Sequence, residues 1–361
     1  MKILKKSKKQ WHTQHGVSEL PKPQRLLISR PDRLGDVVIS STCLPELRRQ
    51  MPDTYIALAV NEPLTALFQG SHFVDEVIGI PGQKKSLLDR LRASRFDVSI
   101  QLNPDPAWDA QIAEAEIPRR LGFSRREGEH LTDWISYDYK RAGEKHEALF
   151  NFDLLEPYGV SASDNLTTAV EVSDKSVTEA ASICGDHPYV LFHLASHGSK
   201  PRVPPEFFAH LAKSLLNQFD YNLVIVGAEA EDPGLIAFLD QLAAYKQRIL
   251  NVAGKTDIEL LSGICQSGQL MLSRDSGPAH LAAAVGCPTL TFFINSTPLM
   301  SPLRWRPIGE NAKIYYKPVF AWPFEPPRSV ARRIVRKYDR DEVYAMMTQM
   351  LNQSIKQQIG V

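Results

Sequence analysis

Several stretches of the chain combine residue types that can move a proton or hold an anion. The first is Arg30-Pro31-Asp32-Arg33-Leu34-Gly35-Asp36, which follows a short apolar run and leads at once into a helical pattern. An ionised side chain at the carboxyl end of a strand can accept the proton of an incoming hydroxyl, so Asp36 is a candidate general base. Aspartate is also a favoured helix N-cap, and this position alone leaves both roles open. A dinucleotide-binding turn would carry Gly-x-Gly-x-x-Gly here; Gly35 is the one glycine present, which disfavours NAD.

The second stretch is Ser273-Arg274-Asp275-Ser276-Gly277-Pro278-Ala279-His280. Pro278 suits a first helical turn, Gly277 lets a ligand approach the backbone, and the free N–H groups with the helix dipole suit a diphosphate. Capping by Asp275 or Ser276, and a satisfied core role for His280, are the competing structural readings. Two further loops could serve the same ligand. Leu194-Ala195-Ser196-His197-Gly198-Ser199-Lys200-Pro201-Arg202 offers hydroxyls and cations that can clamp phosphate oxygens and offset charge on a leaving diphosphate. Gly227-Ala228-Glu229-Ala230-Glu231-Asp232 offers a carboxylate for a ribose diol, though acids are equally expected in a helix first turn. The one Asp-x-Asp pair, Asp339-Arg340-Asp341, lies away from the predicted strand ends, and Asn103-Pro104-Asp105 begins with an amide; no metal site is expected.

These loops must be positioned by regular elements. Short Val/Ile/Leu-rich runs alternate with amphipathic stretches, the pattern of parallel strands joined by crossover helices. A first series predicts strands at 25–30, 55–60, 74–80 and 96–102, with helices at 37–51, 63–68 and 86–94. A second predicts strands at 189–194, 222–227, 249–253, 270–273 and 289–293, with helices at 205–217, 233–245, 258–266 and 278–285. The segment 104–140 reads as loops and short elements. Residues 338–359 read as an amphipathic helix after a basic cluster, Arg332, Arg333, Arg336 and Lys337. The fold class is therefore α/β, with two doubly wound domains whose ligands sit beyond the carboxyl ends of the strands.

At 361 residues the chain is long enough for about two domains. Forty-two Lys+Arg against 41 Asp+Glu give a net charge of +1, so no whole-chain field recruits nucleic acid. Cys43, Cys184, Cys265 and Cys287 are far apart, which argues against a disulfide framework or zinc site and fits a reducing cytoplasm. The stretch from Ser276 to Leu303 lacks formal charge, yet Pro278, Gly286, Pro288, Pro298 and Pro302 break it into helix, turn and strand rather than a membrane span. Lys2, Lys5, Lys6, Lys8 and Lys9 precede polar residues, not the apolar core of a signal peptide. They read as a flexible arm, either a solvated tail or a contact with an anionic membrane surface.

Taken together, these motifs resemble the glycosyltransferase family 9 heptosyltransferases. The resemblance rests on Leu27-Ile28-Ser29-Arg30 through Leu34-Gly35-Asp36-Val37-Val38, on Pro45-Glu46-Leu47-Arg48-Arg49 and on Val74-Asp75-Glu76-Val77-Ile78. It continues in Val252-Ala253-Gly254-Lys255-Thr256, in Asp275 through Ala284, and in Gly286-Cys287-Pro288-Thr289.

The resemblance implies a GT-B fold with two Rossmann-like domains facing an interdomain cleft. The expected division is a flexible basic arm at 1–22, an acceptor-binding domain at 23–170, a nucleotide-sugar-binding domain at 171–316, and a segment at 317–361 packing back on the N-terminal domain. It further implies inverting, metal-independent transfer from ADP-heptose, with no cofactor, to a lipid-linked saccharide of the lipopolysaccharide inner core. Carried over by position, Asp36 is the catalytic base, Asp275 approaches the donor sugar, the Ser276 and Gly277 backbone holds the diphosphate, and His280 belongs to the same site. Ser196 and His197 occupy phosphate-loop positions, Glu231 matches the acid that holds ribose, and Lys200 or Arg202 contacts the diphosphate. Two departures stand out: the usual loop lysine falls on Pro201 and the usual Trp on Val203, while Phe293-Ile294-Asn295-Ser296-Thr297-Pro298 replaces a Gly-Pro-Thr loop. A non-catalytic glycan-binding protein of the same fold and a transferase with another nucleotide-sugar donor are the alternatives.

Overall fold

The computed structural model describes residues 9–13, 19–80, 84–140, 143–194, 203–320 and 327–359. The chain divides into two compact units, Met1–Glu171 and Val172–Val361. Both are built on open sheets of parallel strands, as the alternating pattern predicts.

The first unit has seven strands: β1 (Trp11–Thr13), β2 (Arg25–Arg30), β3 (Tyr55–Asn61), β4 (Glu76–Ile80), β5 (Val98–Gln101), β6 (Arg119–Ser124) and β7 (Asp133–Ser136). They lie in the order β1-β7-β6-β5-β2-β3-β4, all parallel except the β1–β7 pair. β2 is central, and its Leu26, Leu27 and Ile28 are buried, as expected for a strand covered on both faces. The chain runs from β2 to β3 on one side and later to β5 on the other, so the turn after Arg30 sits where the strand order reverses. That is the position at which open α/β sheets receive ligands.

The second unit has six strands: β8 (Tyr189–His193), β9 (Asn222–Ile225), β10 (Ile249–Asn251), β11 (Leu270–Arg274), β12 (Thr289–Asn295) and β13 (Ala312–Val319). Their order is β10-β9-β8-β11-β12-β13, with every pair parallel. The reversal here lies between β8 and β11, so the loops after His193 and Arg274 share the ligand-binding position. Phe207, Phe208, Phe292, Tyr315 and Tyr338 pack edge-to-face in its core, with Phe208 and Phe292 ring centroids 5.3 Å apart.

Four expectations change. The segment 104–140 continues the βα series: Pro106–Glu114 is helical and β6 and β7 extend the sheet. Charge concealed these strands, because Arg119 pairs with the buried Asp133 at 3.1 Å and Arg120 is spent on the carbonyls of Ile117 and His130. The arm expected to be flexible over 1–22 is ordered at Trp11–Thr13, which pairs antiparallel with β7 while His12 stacks on Trp134 and Lys9 pairs with Glu156. Lys2, Lys5, Lys6 and Lys8 lie outside the described residues. The helix predicted over 37–51 is two helices, Leu34–Ser40 and Cys43–Gln50, interrupted where the Ser41 and Thr42 hydroxyls donate to carbonyls of the preceding turn. β13 adds a strand that Lys313 and Lys317 had masked in the apolar pattern.

In the closing segment, Val330, Ile334, Tyr338, Val343, Met347, Met350 and Leu351 belong to the core of the second unit. The uncharged stretch from Ser276 folds as the helix Gly277–Ala284 followed by β12. Among the described residues no helix is long and apolar enough to cross a membrane.

Candidate active site

In the first unit the site is the turn from the end of β2 into the helix Leu34–Ser40. The helix N-cap is Arg33, which makes no side-chain cap, so Asp36 lies inside the first turn and the capping alternative for it falls away. Its carboxylate benefits from the helix dipole and faces Arg30, whose Nη2 donates to Asp36 Oδ1 at 3.1 Å. Asp36 is 23% exposed at its side chain while Arg30 is 4% exposed, so a buried cation holds a reachable carboxylate. Arg30 also pairs with Asp32 at 3.1 Å and donates through Nη1 to the Leu102 carbonyl at 2.6 Å. Burial works against its charge, but the carboxylates of Asp36, Glu147 and Asp32 raise its pKa above the ordinary arginine value.

The neighbouring strand end shows how the scaffold is tied. Asp105 caps the helix Pro106–Glu114 by accepting from Ala107 and Trp108 backbone N–H groups, and Trp108 Nε1 donates to Ser29 Oγ at 2.8 Å. Asp105 thus serves as a cap. Among the described residues no group of three or more His, Cys, Asp and Glu side chains is placed to hold a metal ion.

In the second unit the end of β11 leads into the helix Gly277–Ala284. Ser276 is its N-cap residue but makes no side-chain cap. Its hydroxyl is turned back to His193 Nδ1 at 3.1 Å and Ser273 Oγ at 2.9 Å, and Ser273 Oγ donates to the Arg274 carbonyl. The first helical turn therefore lacks a side-chain cap and, with its dipole, suits an anion. Asp275, 27% exposed at its side chain, lies 3.7 Å from His280 Nε2. His280 is buried and its Nδ1 has no hydrogen-bond partner among the described residues, so the reading of a satisfied core histidine does not hold.

Glu231 is exposed in the loop that enters the helix Pro233–Gln241, while its neighbour Asp232 is buried and caps that helix by accepting from Leu235 N–H. Gly254, at φ +71°, donates to the Gly227 carbonyl at 2.8 Å, and an added Cβ would meet the Ala228 carbonyl oxygen at 3.4 Å. The Val252–Thr256 motif is thereby placed under the Glu231 loop. Ser196, His197, Lys200 and Arg202 lie outside the described residues.

Structure thus brings Asp275, Ser276, Gly277 and His280 together at one turn, places Glu231 on a second loop, and sets Asp36 on the first unit. Sequence reasoning gave no role to Arg30, His193 or Ser273. For Arg30 a signal existed, a cation at a strand end followed within six residues by two aspartates; His193 and Ser273 became visible only through strand pairing, which sets them opposite each other in register.

The glycosyltransferase family 9 (heptosyltransferase) model matches residues 85–320. Lipopolysaccharide heptosyltransferase 3 of Escherichia coli is 24% identical over 297 residues, covering 77% of this chain and 83% of that protein. Lipopolysaccharide heptosyltransferase 1 of Campylobacter coli is 21% identical over 285 residues, covering 74% and 83% respectively. The solved structure of E. coli ADP-heptose lipopolysaccharide heptosyltransferase II superposes with a TM-score of 0.73 at 19% identity, covering 91% of this chain and 99% of that one. That likeness fixes the fold as GT-B, with two Rossmann-like domains. Through its family match, its motifs and its fold, the chain belongs to glycosyltransferase family 9 and is a glycosyltransferase.

Proposed function

We propose that the enzyme transfers a heptose from ADP-heptose to a lipopolysaccharide inner-core acceptor of the Kdo–lipid A type, with inversion and without a metal ion. The observation that carries this reading is the partly exposed Asp36 carboxylate held by buried Arg30 at a sheet's ligand-binding position. Asp36 takes the proton of the acceptor hydroxyl, whose oxygen forms a bond to the anomeric carbon from the face opposite the diphosphate. The bond from that carbon to the diphosphate oxygen breaks, and ADP leaves with the electron pair. The N-terminal turn of the helix Gly277–Ala284 receives the developing charge, joined by Lys200 or Arg202. Glu231 holds the ribose diol, Ser196 and His197 contact phosphate, and Asp275, oriented by His280, approaches the donor sugar.

The acceptor is lipid-linked, so the enzyme works at the cytoplasmic face of an anionic membrane. Arg332, Arg336 and Lys337 are exposed on the helix Pro327–Lys337, and with Lys2, Lys5, Lys6 and Lys8 they supply the cations for such a contact. Product analysis with ADP-heptose and a Kdo–lipid A acceptor in the presence of EDTA tests the reading. A heptosylated product with inverted anomeric configuration is expected; a strict magnesium requirement would overturn the metal-free mechanism.

A further inference from the structure

Behind Arg30 the first unit buries a second ion pair. Lys140 Nζ and Glu147 Oε1 are 2.5 Å apart with side chains 1% and 2% exposed, and the same Glu147 oxygen lies 3.8 Å from Arg30 Nη1. Lys140 ends the short helix Tyr137–Lys140 after β7 and sits 4.4 Å from the centre of the Phe123 ring on β6. Glu147 opens the helix Glu147–Asp153. Glu147 thus faces the Arg30 guanidinium on one side and Lys140 on the other. A buried ion pair is weak evidence for stability, and what this one does distinctively is hold the Glu147 carboxylate on the Nη1 side of Arg30. The Leu102 carbonyl accepts from the same nitrogen, so the planar fork is seated on one edge and presents its other nitrogen, Nη2, to Asp36 and Asp32, each at 3.1 Å.

We propose that Arg30 is a positioning residue for transfer: seated through Nη1 by the Leu102 carbonyl and the buried Lys140–Glu147 pair, it fixes the Asp36 carboxylate through Nη2 in the orientation that receives the acceptor proton. The inference rests on Asp36 being the base. Misplacing a reacting group by about an ångström costs up to about a hundredfold in rate, so the contact has kinetic weight without touching substrate.

A double-mutant cycle tests it, with ADP-heptose and a Kdo–lipid A acceptor as substrates. Arg30→Met should lower kcat by about tenfold to a hundredfold while KM for ADP-heptose stays within about twofold. Added to Asp36→Asn, the same substitution should change kcat little, because there is no longer a base to orient. Arg30→Lys keeps a cation among the carboxylates and serves if Arg30→Met does not fold; it should lower kcat in the native background and not in Asp36→Asn. Losses that multiply in the double variant would overturn the Arg30 role alone. Unchanged turnover in Asp36→Asn would overturn the base assignment, and with it this inference.

Discussion

Arg30 and Asp36, six residues apart across the turn that leaves β2, meet at 3.1 Å with the cation buried and the carboxylate reachable. Asp36 stands inside the first turn of the helix rather than at its N-cap, where its side chain accepts from the Arg30 guanidinium. The turn is also pinned from outside, since Asn61 Nδ2 donates to the Asp32 carbonyl at 2.9 Å.

The Lys140–Glu147 pair makes a stability prediction. Removing one partner strands a buried charge, so Lys140→Met alone should cost about 3–5 kcal/mol. Lys140→Met with Glu147→Gln should cost less than that single change, as read by urea denaturation. Additive losses would contradict the pairing.

Asp109 makes a pH prediction. Burial, with the charge of Asp105 adding to it, pushes its carboxyl from 3.8 up to about 7. The native state then keeps a proton that the unfolded chain releases, so stability falls as pH rises through the window from 3.8 to about 7. Three pH units correspond to as much as about 4 kcal/mol. Asp109→Asn removes this penalty and should raise the melting temperature at pH 8 but hardly at pH 4; equal shifts at both would contradict it.

Much of this architecture is legible in the residues. The apolar runs Leu26–Ile28 in β2 and Val190–Phe192 in β8 announce parallel strands, and the turns after β2 and β11 carry their chemistry openly at Asp36 and at Asp275–Gly277. What stayed hidden is polar and non-local. β6 carries two arginines, neutralised by Asp133 of β7 and by backbone carbonyls, so the hydropathy of these strands does not alternate cleanly. The Arg30–Glu147–Lys140 chain joins residues over a hundred positions apart, a relationship that no local spacing encodes. His193 and Ser276 meet for the same reason, across the β8–β11 pairing.

On the donor side, ADP should stabilise the protein in EDTA through the turn at Ser276 and Gly277. At a concentration about a hundredfold above Kd the gain is about 2.7 kcal/mol, visible as a rise in melting temperature. Stabilisation by another nucleoside diphosphate and not by ADP would contradict the donor assignment.

For the membrane, each exposed cation near an anionic surface contributes about 1 kcal/mol, an attraction that salt screens. Deleting residues 1–8 should reduce sedimentation with phosphatidylserine vesicles and slow transfer to a vesicle-embedded acceptor, leaving a delipidated acceptor unaffected. Equal sedimentation by both forms would assign the contact to Arg332, Arg336 and Lys337 instead, and exchanging those for glutamine would then be the decisive variant.

The central claim is that Asp36 accepts the acceptor's proton, and the turnover of Asp36→Asn measures it most directly. The amide keeps the shape of the side chain and its place beside Arg30 but removes the proton acceptor. With ADP-heptose and a Kdo–lipid A acceptor, kcat should fall by about two orders of magnitude or more while calorimetric ADP affinity and melting temperature stay near those of the unaltered enzyme. Turnover close to the unaltered rate would contradict the claim.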